Sequence, residues 1–228
     1  MSFTLKIDWA THEAAKYAVE NWHYSKTLPV GKMARVGAWE DGRFVGVVIF
    51  AWGMNRNLGT PYQLRIGQCA ELVRVALTRH QSAVSKILAI ATRFLKKQSP
   101  GLRLLVSFAD PSEGHHGGIY QANGWQYTGT SIPQPEWLLD GKRLNRRAYT
   151  GQQFGGGKSS VAGIPKGAIK RTMLGKHRYL MPLDNEMKKQ ILPLAKPYPK
   201  RASSETRDTP SDQLGKAGAR PSDALPLQ

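Results

Sequence analysis

One short stretch gathers most of the side chains that can do chemistry: Leu102 to Tyr127, LRLLVSFADPSEGHHGGIYQANGWQY. Asp110 closes the apolar run Leu102, Leu104, Leu105, Val106 and Phe108, and Pro111 ends regular pairing just after it. A carboxylate at the carboxyl end of a buried strand sits where open α/β sheets place ligands. Asp110 can serve there as a general base, or merely cap the next turn. Tyr120 can protonate a leaving thiolate or simply pack. Ser107 lies inside the strand, either as part of the site or as a small residue beneath a helix. Ser112 reads as a cap. His115 and His116, with Asp110, Glu113 and His23, contain the two histidines and a carboxylate of a metal set. Adjacent histidines rarely both point at one ion, so a metal stays an open alternative and no residue is assigned to one.

Three further places carry chemistry. His23-Tyr24 follows a helix and precedes a Pro-Gly loop. An imidazole and a phenol at a loop mouth suit a stacked base; the plainer reading is a histidine on the negative end of a helix. Glu71 and Arg74 are three apart in a strand, which predicts opposite faces. The pair reads first as a structural ion pair, and Glu71 is kept only as a second candidate base behind Asp110. Finally, Arg79, Gln81, Ser82 and Ala83 lead into a helix, whose free N–H groups suit a pyrophosphate.

These residues need a scaffold. Thr11 predicts the cap of a helix carrying Ala14, Ala15, Tyr17, Ala18 and Trp22 at helical spacing. Met33–Trp39 and Arg43–Trp52 read as strands joined at Asp41-Gly42, a hairpin signal. A strand Cys69–Thr78 follows, then a helix with the apolar stripe Ala83, Val84, Ile87, Leu88, Ala91, Phe94 and Leu95, for which Ser82 is a candidate cap. Strand, helix and strand from Cys69 to Ala109 form a right-handed crossover with two parallel strands. The hairpin is antiparallel, so the sheet is mixed. Ile119–Ala122 reads as a helical turn, Trp125 and Tyr127 as the start of a strand, Arg178–Leu183 as a late strand and Asn185–Leu192 as a short helix. One domain is expected over residues 1–201, with a basic extension from about residue 130 and a disordered tail over 202–228, rich in Ser, Pro, Ala and Gly.

Composition narrows the partner. Lys+Arg number 33 against 16 Asp+Glu, a formal charge of +17. Between Asp140 and Arg201 stand 15 Lys/Arg and 3 Asp/Glu, so most of the excess lies there. Such a field attracts polyanions, nucleic acid first. Lys142, Arg143, Arg146, Arg147 and Lys158 are the expected DNA contacts. The single cysteine, Cys69, rules out an intrachain disulfide and a multi-cysteine zinc site. No apolar run is long enough for a membrane span, and a cytoplasmic location, that of the host cell, is expected.

Several segments together carry a family resemblance: Trp22-His23-Tyr24-Ser25-Lys26-Thr27-Leu28-Pro29, Glu71 to Leu77, Ser107 to Pro111, His116 to Ala122, Lys176 to Leu180, and Pro197 to Arg201. From about Trp22 to Arg201 the chain resembles the Mom proteins of Mu-like phages, relatives of the GNAT acyltransferases. The resemblance implies a GNAT-like α/β fold: a mixed, mostly antiparallel sheet with two splayed parallel central strands and flanking helices. It implies an enzyme that converts adenine in double-stranded DNA to N6-carbamoylmethyl (acetamido) adenine, the base flipped out, protecting phage DNA from host restriction. A homodimer stays open. Asp110, Tyr120, His23, Tyr24 and Ser107 would be the catalytic set. GNAT enzymes hold the pyrophosphate of coenzyme A on a Gln/Arg-x-x-Gly-x-Gly/Ala loop. Here Arg79 to Val84 lacks those glycines. Acetyl-CoA or another acyl-CoA-like donor is the implied cofactor, although acetyl-CoA contains no nitrogen for the product's amide. Two rival functions remain: an ordinary coenzyme A-dependent N-acetyltransferase acting on a protein or small amine, and a non-catalytic DNA-binding protein on a decayed acyltransferase fold.

Overall fold

The structure is a computed structural model describing residues 3–53, 55–144 and 163–200. The expected tail and three of the expected DNA contacts, Arg146, Arg147 and Lys158, lie outside the described residues.

Local sequence explains the first elements. β1 (Leu5–Trp9) leads into α1 (His12–Trp22), capped by Thr11, whose side chain accepts the Ala14 N–H at 3.1 Å. β2 (Lys32–Glu40) and β3 (Arg43–Trp52) turn at Asp41-Gly42, both at positive φ as a tight hairpin turn requires. β4 (Cys69–Leu77), α2 (Val84–Gln98) and β5 (Leu104–Ala109) make the crossover. α2 has Ala83 at its N-cap without a side-chain hydrogen bond, so Ser82 does not cap it.

The rest comes from pairing at a distance. α3 (Gly118–Gln121) precedes β6 (Gln126–Thr130), β7 (Gln134–Leu139) and β8 (Lys142–Arg143); β9 (Ile169–Met173), β10 (His177–Pro182) and α4 (Asn185–Ile191) follow. The main sheet has the order β1-β2-β3-β4-β5-β10-β6, and a small sheet has the order β8-β7-β9. β10 inserts between β5 and β6, antiparallel to both. The β4–β5 pair is parallel and the others are antiparallel, the mixed, mostly antiparallel sheet expected. The small sheet is built from Gln134–Leu139, Lys142–Arg143 and Ile169–Met173, segments for which the sequence pattern predicts no strand.

Helices cover both faces. α2 buries Ile87, Leu88, Ala91 and Leu95 against Val48, Phe50, Leu72 and Leu105. Each large side chain so buried contributes about 1.5–3 kcal/mol. On the other face α1 packs Ala15, Ala18 and Val19 on Val47, Ile49 and Ala76, while α4 sets Met187 and Ile191 on Leu104, Val106 and Leu180. Arg103 fastens α4 to the start of β5: its guanidinium donates to both Asp184 oxygens, at 2.8 and 3.1 Å. That contact and the Met187 N–H hold the Asp184 carboxyl down to about 2. Among the described residues no helix is long and apolar enough to cross a membrane.

Candidate active site

The site begins with a bulge. β3 pairs Ile49 with Arg74 and Phe50 with Leu72, leaving Val73 as an extra residue in β4. A bulge bends its strand. β4 and β5 pair in parallel from Cys69↔Leu104 to Leu72↔Ser107 and no further, and beyond that point they splay. The bulge also overturns the expected opposition of Glu71 and Arg74. One inserted residue shifts the alternation, and the two charges come to share the α1 face, each acting on the other's ionisation.

A cavity of about 520 Å³ opens in the splay. Its walls include His23, Tyr24, His80, His115, His116 and Tyr120. α1 ends at His23, which delivers the first two rings; the glycine-rich loop after β5 delivers His115 and His116; α3 delivers Tyr120. The His23 and Tyr24 rings lie 4.3 Å apart, and Tyr24 meets His115 edge-on at 5.3 Å.

His23 is fixed in one tautomer. The backbone N–H of Ser25 donates to its Nδ1 at 3.1 Å, and Ser25 Oγ lies 2.8 Å from the same atom. An Nδ1 that accepts an amide carries no proton, so the proton of the neutral ring sits on Nε2. Burial, with repulsion from Arg74, His115 and Lys26, lowers its pKa to about 4. His23 is therefore neutral near pH 7 and offers an Nε2–H donor. The sign for stability follows. Between the unfolded value near 6.5 and about 4, the unfolded chain binds a proton that the folded chain refuses, so stability falls as pH drops through that window. In urea unfolding between pH 7 and pH 4, His23→Gln should lose less stability than the wild type; equal losses would mean this ring titrates normally.

Tyr120 and Ser107 stand at the apex of the splay. Ser107 Oγ is 2.8 Å from the Tyr120 hydroxyl and 2.9 Å from the Leu72 carbonyl, so the pair bridges β5, α3 and β4. Tyr120 packs against Trp125 and Tyr179, and burial pushes its hydroxyl up to about 12. It stays protonated at neutral pH. Nearby, burial raises the Glu71 carboxyl, with Arg74 and Lys176 pulling the other way.

Asp110 is placed differently from the expected base. It is 4% exposed, does not line the cavity, pairs with Lys176 Nζ at 2.9 Å and accepts the Ser112 N–H at 3.0 Å. Burial raises its pKa, but Lys176 and Ser112 more than offset this and hold the carboxyl below its usual value. A carboxylate so occupied is a poor proton acceptor. Its geometry is that of a cap for the turn Pro111–Glu113 and a clamp on the residue before β10.

The loop before α2 also differs from expectation. The Gln81 and Ser82 amides donate to the two carboxylate oxygens of Glu40, at 2.8 and 2.7 Å, and the Arg79 carbonyl accepts from Arg43 at 2.8 Å. Arg79, Gln81 and Ala83 are exposed. Glu40, 41 positions from Gln81, carries no local signal that could have revealed it.

Among the described residues no three His, Cys, Asp or Glu side chains gather closely enough to hold a metal ion. Lys142 is exposed on β8, and Lys170 and Arg171 are exposed on β9 of the same small sheet.

Comparison with known proteins bears on the whole chain. The model of the Mom protein family matches residues 4–200. The methylcarbamoylase mom of Escherichia phage Mu is 21% identical over 203 residues, covering 86% of this chain and 84% of that protein. Among solved structures, the aminoglycoside acetyltransferase AAC(6')-Ib in complex with coenzyme A and kanamycin is 9% identical with a TM-score of 0.46, covering 82% of this chain and 98% of that one. Aminoglycoside 6'-acetyltransferase type Ii is 11% identical with a TM-score of 0.42, covering 78% and 97%. At such scores these likenesses carry no weight for substrate or cofactor.

Proposed function

The chain belongs to the Mom protein family, and from that premise we propose that it is a DNA-modifying transferase, replacing one hydrogen on N6 of adenine by a carbamoylmethyl group and so shielding phage DNA from host restriction endonucleases. The relative from phage Mu is named a methylcarbamoylase. The observation that carries the reading is the cavity between the splayed strands, large enough for a purine and a small transferred group, walled by imidazole and phenol rings.

N6 lies within a stacked base pair, so the adenine turns out of the duplex to reach the cavity. Tyr24 and His115 offer ring faces and edges to the base. The His23 Nε2–H donates to a ring nitrogen of adenine, which accepts only; a neutral histidine locked in this tautomer recognises the base without competing for its proton. The N6 lone pair is delocalised into the ring, so N6 attacks well only if its proton leaves as the N–C bond forms. Glu71, which like Asp110 does not line the cavity but whose carboxyl burial raises, takes that proton by way of an intervening water. Tyr120, protonated and held by Ser107, donates to the group that departs. Asp110 positions the loop. Lys142, with Arg143, Arg146, Arg147 and Lys158, and with Lys170 and Arg171 of the small sheet that also holds Lys142, grips the phosphates without reading sequence.

The test is made in cells. DNA from cells expressing the protein is digested to nucleosides and searched by mass spectrometry for carbamoylmethyl deoxyadenosine. The product should appear with the intact protein and fall at least about 100-fold with Glu71→Gln, as for loss of a general base. Unmodified adenine with the intact, folded protein present would overturn the reading.

A further inference from the structure

The N-terminus of α2 is where an acyltransferase of the GNAT type would hold the diphosphate of coenzyme A, and in this chain its approach is already taken. Glu40 is 2% exposed and places one carboxylate oxygen on each of the Gln81 and Ser82 amides, at 2.8 and 2.7 Å. It stands at the end of β2, opposite Arg43 in the hairpin, and Arg43 binds the Arg79 carbonyl. The two residues of one hairpin pair thus pin the loop 79–82 from both sides. Burial works against the Glu40 charge, yet the two amides outweigh it and keep the carboxyl below its usual value. The group is an anion wherever the protein is folded near neutral pH. Nor does the loop have the glycines that let a backbone close around phosphate: Ser82 and Val84 stand at those positions, and Ser82 is buried.

We infer that Glu40 is a built-in anion occupying two amides of the loop that leads into α2, so that the donor of the transferred group is not a coenzyme A thioester anchored on that loop. Two backbone amides already committed to a carboxylate cannot bind a second anion, and the fixed negative charge repels one that approaches. The donor therefore reaches the cavity without a diphosphate handle on this loop. The inference rests on the proposed transfer reaction only in calling the excluded ligand a donor; the exclusion itself holds for any acceptor.

The test is binding, not turnover. The full-length protein, labelled with nitrogen-15, is titrated with coenzyme A and separately with inorganic pyrophosphate, and the Gln81 and Ser82 amide resonances are followed. In the wild type both should stay in place up to millimolar ligand. In Glu40→Ala, checked for folding by circular dichroism, the same resonances should move, with affinity for pyrophosphate at least about tenfold above the wild type. Saturable movement of these two amides in the wild-type protein overturns the inference, and that measurement does not depend on the variant folding. DNA modification is scored apart from it: loss of the modified nucleoside would sink the proposed function and leave the titration untouched.

Discussion

Tyr120→Phe should lower the rate of adenine modification by about 10²–10³-fold, the usual cost of removing a positioned proton donor. The substitution deletes one oxygen and keeps the ring. Its packing against Trp125 at 5.2 Å and Tyr179 at 5.1 Å is retained. Ser107 loses one partner and keeps the Leu72 carbonyl at 2.9 Å. The cost in stability is therefore that of one hydrogen bond, about 1 kcal/mol. A time course of nucleoside formation after induction, beside urea unfolding of the purified protein, separates the two effects. Modification at the wild-type rate would reduce the hydroxyl to a strut between α3 and β5.

The second large effect concerns shape. Gly117→Ala should destabilise the protein by about 2–5 kcal/mol, adding left-handed backbone strain to overpacking. Gly117 has φ of 87°, and a Cβ built on it would lie within 2.6 Å of Cε2, Cζ and the hydroxyl oxygen of Tyr179, a clash. That ring cannot retreat. It is fully buried, packed at a tilt against Tyr120 and Tyr127 and stacked on Tyr198, and its hydroxyl donates to the His116 carbonyl at 2.5 Å. Gly114 gives the control: its φ is 70°, and a Cβ there meets nothing within 4 Å. Gly114→Ala should cost only the strain, about 1 kcal/mol. Because Gly117 ends the loop that carries His115 and His116, its variant should also lose modification activity. Equal unfolding midpoints for the two alanine variants would refute the argument.

What was legible in the sequence was local. Thr11 capped its helix, Asp41-Gly42 turned its hairpin, the α2 stripe faced the sheet, and the crossover from Cys69 to Ala109 ran parallel. The stretch from Leu102 to Tyr127 did supply much of the cavity wall, through Phe108, His115, His116 and Tyr120, and the short loop after α1 supplied His23 and Tyr24. These features depend on residues a few positions apart, and period, cap and turn chemistry record them directly.

Other features depended on partners far along the chain. The strand Cys69–Leu77 shows no internal mark of its bulge; only its register with β3 leaves Val73 over, and that register put Glu71 and Arg74 on one face. The sequence left Asp110 open as base or turn cap; its side chain is seen capping the turn, and the pairing with Lys176, 66 positions away, was not in view. The α2 loop read as an anion site because Glu40 was not. So the sequence by itself determined which side chains could do chemistry and which elements would bring them near. The tertiary structure alone decided which of those groups stay unoccupied. A charge is quenched by whatever packs against it, and packing between distant segments leaves no periodic trace in either one.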